Sequence, residues 1–263
     1  MTGISPITEA ELVRILTIDI GNTRASFALF EQRVLLWRRD VSTSHFPEVA
    51  REIFAEPVDA CVVSNVSRNR AFFEDWIKTQ FKERVFCIES SEYPHPIEYS
   101  PVTSLGHDRL ANAVAAHQIA PNGAVVVDMG TATHFDVIAP DGTFLGGPIL
   151  SGLETMLNAL TERIPHLPEI TLEPENVEAL SQNTVDAINA GTLLCMAGGI
   201  ERIIREISAK LDFVPTIILT GGNARFVVNF LQHDAYVPNL TLLGLALYAE
   251  MMLKKRGCRL ATA

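Results

Sequence analysis

Hydrophobic residues form three closely spaced runs near the start of the chain, at 14–20, 25–30 and 33–39. β-Branched and aromatic residues dominate these runs and very short turns separate them, which is typical of an antiparallel meander. The pattern then predicts a helix that opens with proline, a buried strand, a second helix and a further strand. These elements are expected at 47–55, 59–65, 69–81 and 84–89. A proline-rich stretch follows and leads to an alanine-rich helix at 107–117.

The order of elements begins again after a turn at 120–123. The chain therefore predicts two β-β-β-α-like halves with a junction near 118–123, and this duplication is its one internal repeat. A last apolar segment, 240–253, is too short to span a bilayer and favours an amphipathic helix that ends in cations. The second half is expected to contain strands at 125–138, a strand and glycine loop at 142–152, a helix at 153–163, a long helix from Thr184 to about 211, and a strand, glycine turn and helix start at 215–226.

Composition and charge narrow the class of protein. The 263 residues carry a net charge of −10 and contain no run of Lys or Arg, so partners such as nucleic acid or an anionic membrane are not expected. The four cysteines are far apart, which indicates reduced thiols rather than disulfides or a zinc site. The first residues have neither a basic start nor an apolar signal region. These features predict a soluble, cytoplasmic protein.

Two stretches share one sequence pattern, LTIDIGNTRASFALF at 16–30 and VVVDMGTATHFDVI at 125–138. In each, an apolar run ends in Asp-x-Gly followed by Asn or Thr. A single copy could need glycine for turn geometry alone. Two copies favour a phosphate clamp, in which glycine admits the phosphate and nearby amides and side chains donate hydrogen bonds. A carboxylate beside phosphate must then hold a cation, usually hydrated Mg²⁺. The expected side-chain donors are Asn22, Thr23, Thr131 and Thr133.

Six motifs, in the order DIGNTR, GHDR, DMGTAT, GGPILSG, QNT and LTGGNA, resemble those of the type III pantothenate kinases from about Val13 onward. This family belongs to the acetate and sugar kinase, Hsp70 and actin superfamily. The resemblance implies an α/β fold of duplicated ribonuclease H-like lobes, with mixed sheets flanked by helices and ATP in a cleft between them. The first lobe is expected at 12–117, joined by a C-terminal helix at 240–256, and the second at 118–239. The chain departs from the family pattern at His134, Pro148 and Ser151.

The resemblance also implies the reaction and its cofactors. The γ-phosphoryl group of ATP would pass to the hydroxyl of pantothenate, giving 4′-phosphopantothenate in the first step of coenzyme A synthesis. Mg²⁺ would be held by Asp19, through water, and a monovalent cation, K⁺ or NH₄⁺, by Asp128. The residues expected to bind ATP are Asp19, Ile20, Gly21, Asn22, Thr23, Arg24, Ala25, Ser26 and Thr131.

Asp108 is expected to accept the proton of the attacking hydroxyl, as an aspartate does in protein kinases. Considered without the resemblance, Asp108 is more often a carboxylate that only stabilises a helix N-terminus. Arg109 suits the pantothenate carboxylate, although it could lie on the surface. Thr184 could instead be an ordinary N-cap, and Tyr99 could pack in its loop. His107 and His134 have no metal-ligand spacing and read as bystanders. The full expected substrate set is Tyr99, Gly106, His107, Asp108, Arg109 and Thr184.

The long helix carries apolar residues on more than one face, such as Leu193, Leu194, Met196 and Ile200. This predicts a homodimer, as the resemblance also implies, unless both faces are buried within one chain. Two other functions stay open, a different small-molecule kinase of the same superfamily and a non-catalytic regulator on the same fold. A P-loop kinase or a dinucleotide oxidoreductase is excluded, because the chain has neither Gly-x-x-x-x-Gly-Lys-[Ser/Thr] nor Gly-x-Gly.

Overall fold

A computed structural model describes residues 13–55 and 57–257, apart from the side chain of Glu83. The predicted start of the first lobe at residue 12 and the cysteine at 258 lie outside the described residues. The chain divides into two compact units. Among the described residues, the first contains 13–55, 57–93, 105–115 and 241–257, and the second contains 94–104 and 116–240.

Eleven strands and six α-helices make up the described part of the chain. The strands are β1 (Arg14–Ile20), β2 (Arg24–Glu31), β3 (Val34–Ser42), β4 (Ala60–Asn65), β5 (Val85–Cys87), β6 (Ala124–Met129), β7 (Ala132–Ile138), β8 (Phe144–Gly146), β9 (Ile149–Ser151), β10 (Thr216–Thr220) and β11 (Ala235–Tyr236). The helices are α1 (Phe46–Ile53), α2 (Arg70–Phe81), α3 (His107–Ile119), α4 (Leu153–Arg163), α5 (Thr184–Ser208) and α6 (Leu240–Lys255).

The first unit has a five-stranded mixed sheet in the order β3-β2-β1-β4-β5. The β1-β2-β3 meander is antiparallel, and β4 and β5 add to it in parallel. Every residue of β4 is buried because it lies between two strands and under helices, which explains its continuous apolar run. This placement brings the carboxyl ends of β1 and β4 together at one edge of the sheet.

Helix α6 completes the first unit although it comes last in the sequence. Its Gly244 lies so close to α3 that a Cβ there would meet the Ala111 carbonyl oxygen at 1.8 Å. The Thr241 hydroxyl donates to Asn112 Oδ1 at 2.9 Å, and the Arg33 guanidinium pairs with Glu250 at 2.8 Å. The helix that carries the Gly-His-Asp-Arg motif is therefore packed against the C-terminal helix.

The second unit repeats the arrangement with a sheet in the order β11-β10-β6-β7-β8, and β9 also pairs with β7. The β6-β7 pair is antiparallel, and β10 pairs with β6 in parallel. Helix α5 packs one face against this core through buried residues that include Leu193, Met196 and Ile200. Among the described helices, α5 alone is long and apolar enough to cross a membrane by length and composition, a test that core helices of soluble proteins also pass.

The structure differs from the expected organisation in three details. The long helix ends at Ser208 rather than near 211. The glycine turn after β10 leads only to short 3₁₀ turns, Ala224–Phe226 and Val228–Phe230. The segment 94–104 clusters with the second unit, since the Phe144 backbone exchanges hydrogen bonds with Pro96 and Glu98.

Candidate active site

The first Asp-x-Gly turn joins β1 to β2 in the first unit. Gly21 N–H donates to the Arg24 carbonyl at 2.9 Å and closes the turn, while residues 22–24 are exposed. Thr43, which directly follows β3, stabilises the turn with two hydrogen bonds. Its hydroxyl donates to the Gly21 carbonyl, and its N–H donates to the Thr23 carbonyl. Ile20 and Ala25 are buried in the core, so only their backbones are available to a nucleotide. The part of the expected ATP segment that faces solvent is therefore Gly21–Arg24.

Asn22 is oriented by a hydrogen bond from outside the turn. Its Oδ1 accepts from the Arg68 backbone N–H at 3.1 Å. This contact fixes the amide plane and leaves Nδ2 as a donor, which is the polarity that a phosphate oxygen requires. The predicted role of Asn22 as a phosphate contact is thus compatible with the geometry, and Arg68 is a neighbour that sequence reasoning missed.

Asp19 lies at the end of β1 and pairs in register with Ser64 of β4. The Ser64 hydroxyl is buried and has no hydrogen-bond partner among the described residues. No group of three or more His, Cys, Asp or Glu side chains that could hold a metal ion occurs in the described ranges. Mg²⁺ in phosphate sites typically keeps several waters and binds one or two carboxylates plus substrate phosphates. Asp19, with an orphan hydroxyl beside it, fits that mode of binding.

The second Asp-x-Gly turn joins β6 to β7 in the second unit and is held from two sides. Gly130 N–H donates to the Ala132 carbonyl at 3.0 Å. The Thr131 carbonyl accepts from the Gly152 N–H at 3.0 Å and from the Thr155 hydroxyl at 2.7 Å. Asn223 Nδ2 donates to the Gly130 carbonyl at 3.1 Å. The backbone carbonyls are thereby occupied by protein donors, and the Thr131 side chain is left exposed.

Two glycines allow this close packing. A Cβ at Gly152 would lie 2.1 Å from the Gly130 carbonyl oxygen. Gly221 has φ +89°, and a Cβ there would lie 2.5 Å from both the nitrogen and the oxygen of Met129. The motifs GGPILSG and LTGGNA thus supply glycine where neighbouring backbone must approach the turn.

Thr133 was wrongly expected to donate to phosphate. It is almost fully buried, and its hydroxyl contacts the Met196 sulfur at 4.0 Å. The strand β7 is buried on both faces from this position onward, so the alternation that would aim Thr133 at solvent does not apply.

His134 lies between two buried carboxylates. Its Nδ1 is 3.2 Å from Asp136 Oδ2 and its Nε2 is 3.7 Å from Asp128 Oδ2. His134 is the cross-strand partner of Asp128, and Asp136 is two residues along the same strand face. The interpretation of His134 as a bystander stays a prediction, and the structure adds that His134 contacts the aspartate expected to bind the monovalent cation.

Asp108 occupies the first turn of α3 and folds back over its N-terminus. Its Oδ1 accepts from the Arg109 backbone N–H at 2.9 Å. A Cβ at Gly106 would lie 2.4 Å from that same oxygen, so glycine at this position gives the carboxylate its space. This hydrogen bond fixes the orientation of the carboxylate at the N-terminus of α3.

The two neighbours of Asp108 in the motif are buried rather than exposed. Arg109 is 3% exposed, which excludes the alternative that it is a surface residue. His107 is 8% exposed, and its pKa is lowered to about 4, chiefly by burial and also by the positive charge of Arg70. The His107 imidazole is therefore neutral at physiological pH.

Tyr99 and Thr184, the remaining expected substrate residues, lie in the second unit. The Tyr99 ring packs edge-on against Phe144 at 6.2 Å between centroids. Thr184 is the first residue of α5, but Asn183 is the N-cap, since its side chain accepts from the Asp186 N–H at 3.0 Å. The alternative role of Thr184 as the N-cap was therefore wrong, and its hydroxyl makes no hydrogen bond within the described part of the chain.

Comparison with known proteins gives consistent results. Residues 15–206 match a family model described as type III pantothenate kinase, a range that includes every expected site residue. A type III pantothenate kinase of Anaeromyxobacter sp. (strain K) is 33% identical over 252 residues, covering 90% of this chain and 98% of the relative. One from Desulfatibacillum aliphaticivorans is 32% identical, covering 88% of this chain and 96% of the relative.

Solved structures with lower identity share the fold. A conserved protein of the Baf family of transcriptional activators from Campylobacter jejuni aligns with a TM-score of 0.59 and 23% identity, covering 92% of this chain and 98% of that one. MreB 5 of Spiroplasma citri bound to AMPPNP aligns with a TM-score of 0.54 and 11% identity, covering 94% and 99%. The predicted duplicated actin and sugar-kinase fold is confirmed.

Proposed function

The chain belongs to the type III pantothenate kinase family and is an ATP-dependent kinase of pantothenate in coenzyme A synthesis, and from this premise we propose which residues carry the reaction. The observation that carries the proposal is the arrangement at the start of α3, where Gly106 makes room for an Asp108 carboxylate held by the Arg109 N–H. Asp108 is the proton acceptor for the pantothenate hydroxyl.

Its role follows from the chemistry of phosphoryl transfer. In a loose transition state the nucleophile loses its proton late, so an aspartate of ordinary basicity can accept it. The remaining catalysis is positioning and charge stabilisation. A carboxylate fixed by a backbone hydrogen bond at a helix N-terminus is well suited to hold the hydroxyl in one orientation.

Each Asp-x-Gly turn, taken by itself, is assigned to phosphate binding. In the first turn the contacts would come from Gly21–Arg24, including the Asn22 amide, and in the second turn from the exposed Thr131 side chain. Asp19 would hold hydrated Mg²⁺, which when bound offsets charge on the phosphates. Asp128 would anchor K⁺ or NH₄⁺, with His134 setting the orientation of its carboxylate.

Pantothenate is bound by residues of the Gly-His-Asp-Arg motif together with Tyr99 and Thr184. The buried Arg109 offers a guanidinium fork to a carboxylate. Neutral His107 adds no charge of its own beside Asp108. The Thr184 hydroxyl, which makes no hydrogen bond among the described residues, is available to a polar group of the substrate.

The protein is expected to be a cytoplasmic homodimer that uses the outer face of α5. One face of this helix packs into the core of the second unit, while Ala187, Gly191, Leu194, Cys195 and Gly198 are exposed. Leu194 is 42% exposed, so the alternative that both apolar faces are buried within one chain does not hold for the described residues.

The decisive experiment is Asp108→Asn, assayed for ATP-dependent phosphorylation of pantothenate. Loss of the proton acceptor should lower kcat by about 10²–10⁴-fold, with ADP affinity and unfolding midpoint unchanged. Asp75→Asn, which removes an exposed carboxylate of α2, is the matched control and should stay at wild-type activity. Near wild-type turnover of the Asp108 variant would remove that residue from the mechanism.

A further inference from the structure

The segment between β4 and α2 is tied to the first Asp-x-Gly turn by two hydrogen bonds. Val66 N–H donates to the Ile20 carbonyl at 3.0 Å, and Arg68 N–H donates to Asn22 Oδ1 at 3.1 Å. The second of these hydrogen bonds fixes the backbone of Arg68 next to Asn22. Arg68 is therefore held against the turn that the proposed function assigns to the phosphates of ATP.

Asn65 makes the backbone around Arg68 rigid. It is 1% exposed, and its Oδ1 accepts from the Ser67 N–H at 3.1 Å and from the Ser67 hydroxyl at 2.7 Å. Its Nδ2 donates to the Arg70 carbonyl at 3.2 Å. The chain is thus fixed immediately before and two residues after Arg68, which reduces the entropy lost when its side chain engages a ligand.

The two arginines of this segment differ in what their guanidinium groups do. Arg70 Nε donates to Glu74 Oε1 at 2.7 Å, one turn along α2. The Arg68 side chain is exposed, and its guanidinium makes no hydrogen bond or ion pair within the described ranges. The five N–H donors of the Arg68 guanidinium are therefore not used by any group in the described part of the chain.

We propose that the Arg68 guanidinium binds the phosphates of ATP and is a further nucleotide-binding residue of this kinase. Its planar fork matches phosphate oxygens, which it can contact with two N–H groups at once. Asn22 sets the geometry, because the amide that accepts from Arg68 N–H also presents Nδ2 to the same ligand. A phosphate oxygen on that donor is within reach of the side chain that begins at Arg68.

The pantothenate carboxylate is the other anion that a guanidinium could bind. Arg68 is hydrogen-bonded to the turn between β1 and β2 and not to the Gly-His-Asp-Arg motif, which favours the phosphates. The inference rests on the proposed assignment of residues 19–26 to ATP, so the experiment includes a variant of that turn.

Steady-state rates of Arg68→Ala, Arg68→Lys and Arg70→Ala should be measured while ATP and pantothenate are varied separately. Binding of Mg·ADP should be measured by calorimetry at two salt concentrations. For Arg68→Ala, we expect kcat/KM for ATP to fall roughly 10- to 100-fold, the size of a lost charged hydrogen bond, with the KM for pantothenate unchanged. Lysine should restore part of the loss, since it keeps the charge but not the fork. Arg70→Ala should keep the ATP parameters within about twofold, because it removes the same charge from a guanidinium that already pairs with Glu74.

Three results would overturn the proposal. In the first, Arg68→Ala leaves the ATP parameters unchanged while Asn22→Ala raises the KM for ATP. This result would keep the assignment of the turn to phosphate and exclude only Arg68. The second is a raised KM for pantothenate only, which would assign Arg68 to the wrong anion. In the third, both Arg68→Ala and Asn22→Ala leave the ATP parameters unchanged. This result would contradict the assignment of the turn to phosphate as well as the role of Arg68.

Discussion

Replacement of Gly106 by alanine tests whether the position of the Asp108 carboxylate limits catalysis. A Cβ at residue 106 would lie 2.4 Å from Asp108 Oδ1, whereas an ordinary contact begins near 3.4 Å. The carboxylate oxygen must therefore retreat by about 1 Å and give up its hydrogen bond from the Arg109 N–H. Misplacement of a reacting group by ~1 Å can cost about 10²-fold in rate, equivalent to roughly 2.7 kcal/mol of activation free energy.

The same substitution should leave the fold intact. Gly106 is not in the left-handed region, and the atom it would meet is the end of a side chain rather than backbone. A compatible Gly→Ala change alters the free energy of unfolding by about 1 kcal/mol or less. We therefore expect kcat to fall about 10²-fold while the urea midpoint barely moves.

Kinase turnover and urea unfolding should be measured on the same preparations. Gly199→Ala on α5, where a Cβ would meet nothing within 4 Å, is the matched control and should keep full turnover. A Gly106→Ala variant with wild-type kcat would refute the reasoning, since the carboxylate would then tolerate displacement. A large loss of stability would refute it equally, because the clash would then involve more than one flexible side chain.

Three further predictions concern ions, pH and assembly. Replacing K⁺ by a bulky organic cation at constant ionic strength should greatly lower the initial rate with Mg·ATP. Adding K⁺ or NH₄⁺ should restore the rate of the wild type but not that of Asp128→Ala. An unchanged rate would contradict the assignment of Asp128 to a monovalent cation. Because the His107 pKa is about 4 in the folded protein against 6.5 in the unfolded chain, the unfolded state binds the extra proton, and stability should fall as pH drops from 6.5 toward 4. Urea unfolding should show a loss of about 2 kcal/mol between neutral pH and about pH 5 that His107→Gln removes; an identical loss in the variant would exclude His107 as the cause. Light scattering should give twice the chain mass of 28.9 kDa, and Leu194→Glu should yield the monomer; a wild-type monomer at micromolar concentration would count against the dimer.

The duplicated hairpins could be predicted from the sequence because continuous runs of strand-forming apolar residues and glycine turns are local signals. The strands around Asp19 and Asp128 accordingly match their predicted ranges closely. By contrast, β11 has only two residues and no pattern of its own. The segment 94–104 joins the second unit through backbone pairing with Phe144, which leaves no periodic signal in the sequence.

In the candidate site, too, features formed by neighbouring residues could be predicted, whereas contacts between distant residues could not. The Asp-x-Gly turns and the Gly-His-Asp-Arg motif consist of adjacent residues, so the sequence alone could indicate them as candidates. The contact between Arg68 and Asn22 spans 46 positions and depends on parallel pairing of β1 with β4, so spacing alone could not indicate it. His134 did have a usable signal, since residues two apart on a strand share a face and the tight β6-β7 turn sets it opposite Asp128.

The packing of α6 against α3 has a consequence for the order in which a ribosome produces the molecule. The second unit ends at residue 240, so all of its elements precede α6 in synthesis. The first unit, although it supplies the earliest strands, still lacks α6 at that moment, and Ala111 and Asn112 have no partner helix. Residues Leu245, Ala246, Tyr248 and Ala249 of α6 are buried in the folded protein, and Gly244 packs directly against Ala111 of α3. Helix α3, which begins at His107 and carries Asp108, therefore gains its partner only after α6 has been synthesised, and we expect phosphorylating activity to require the presence of α6.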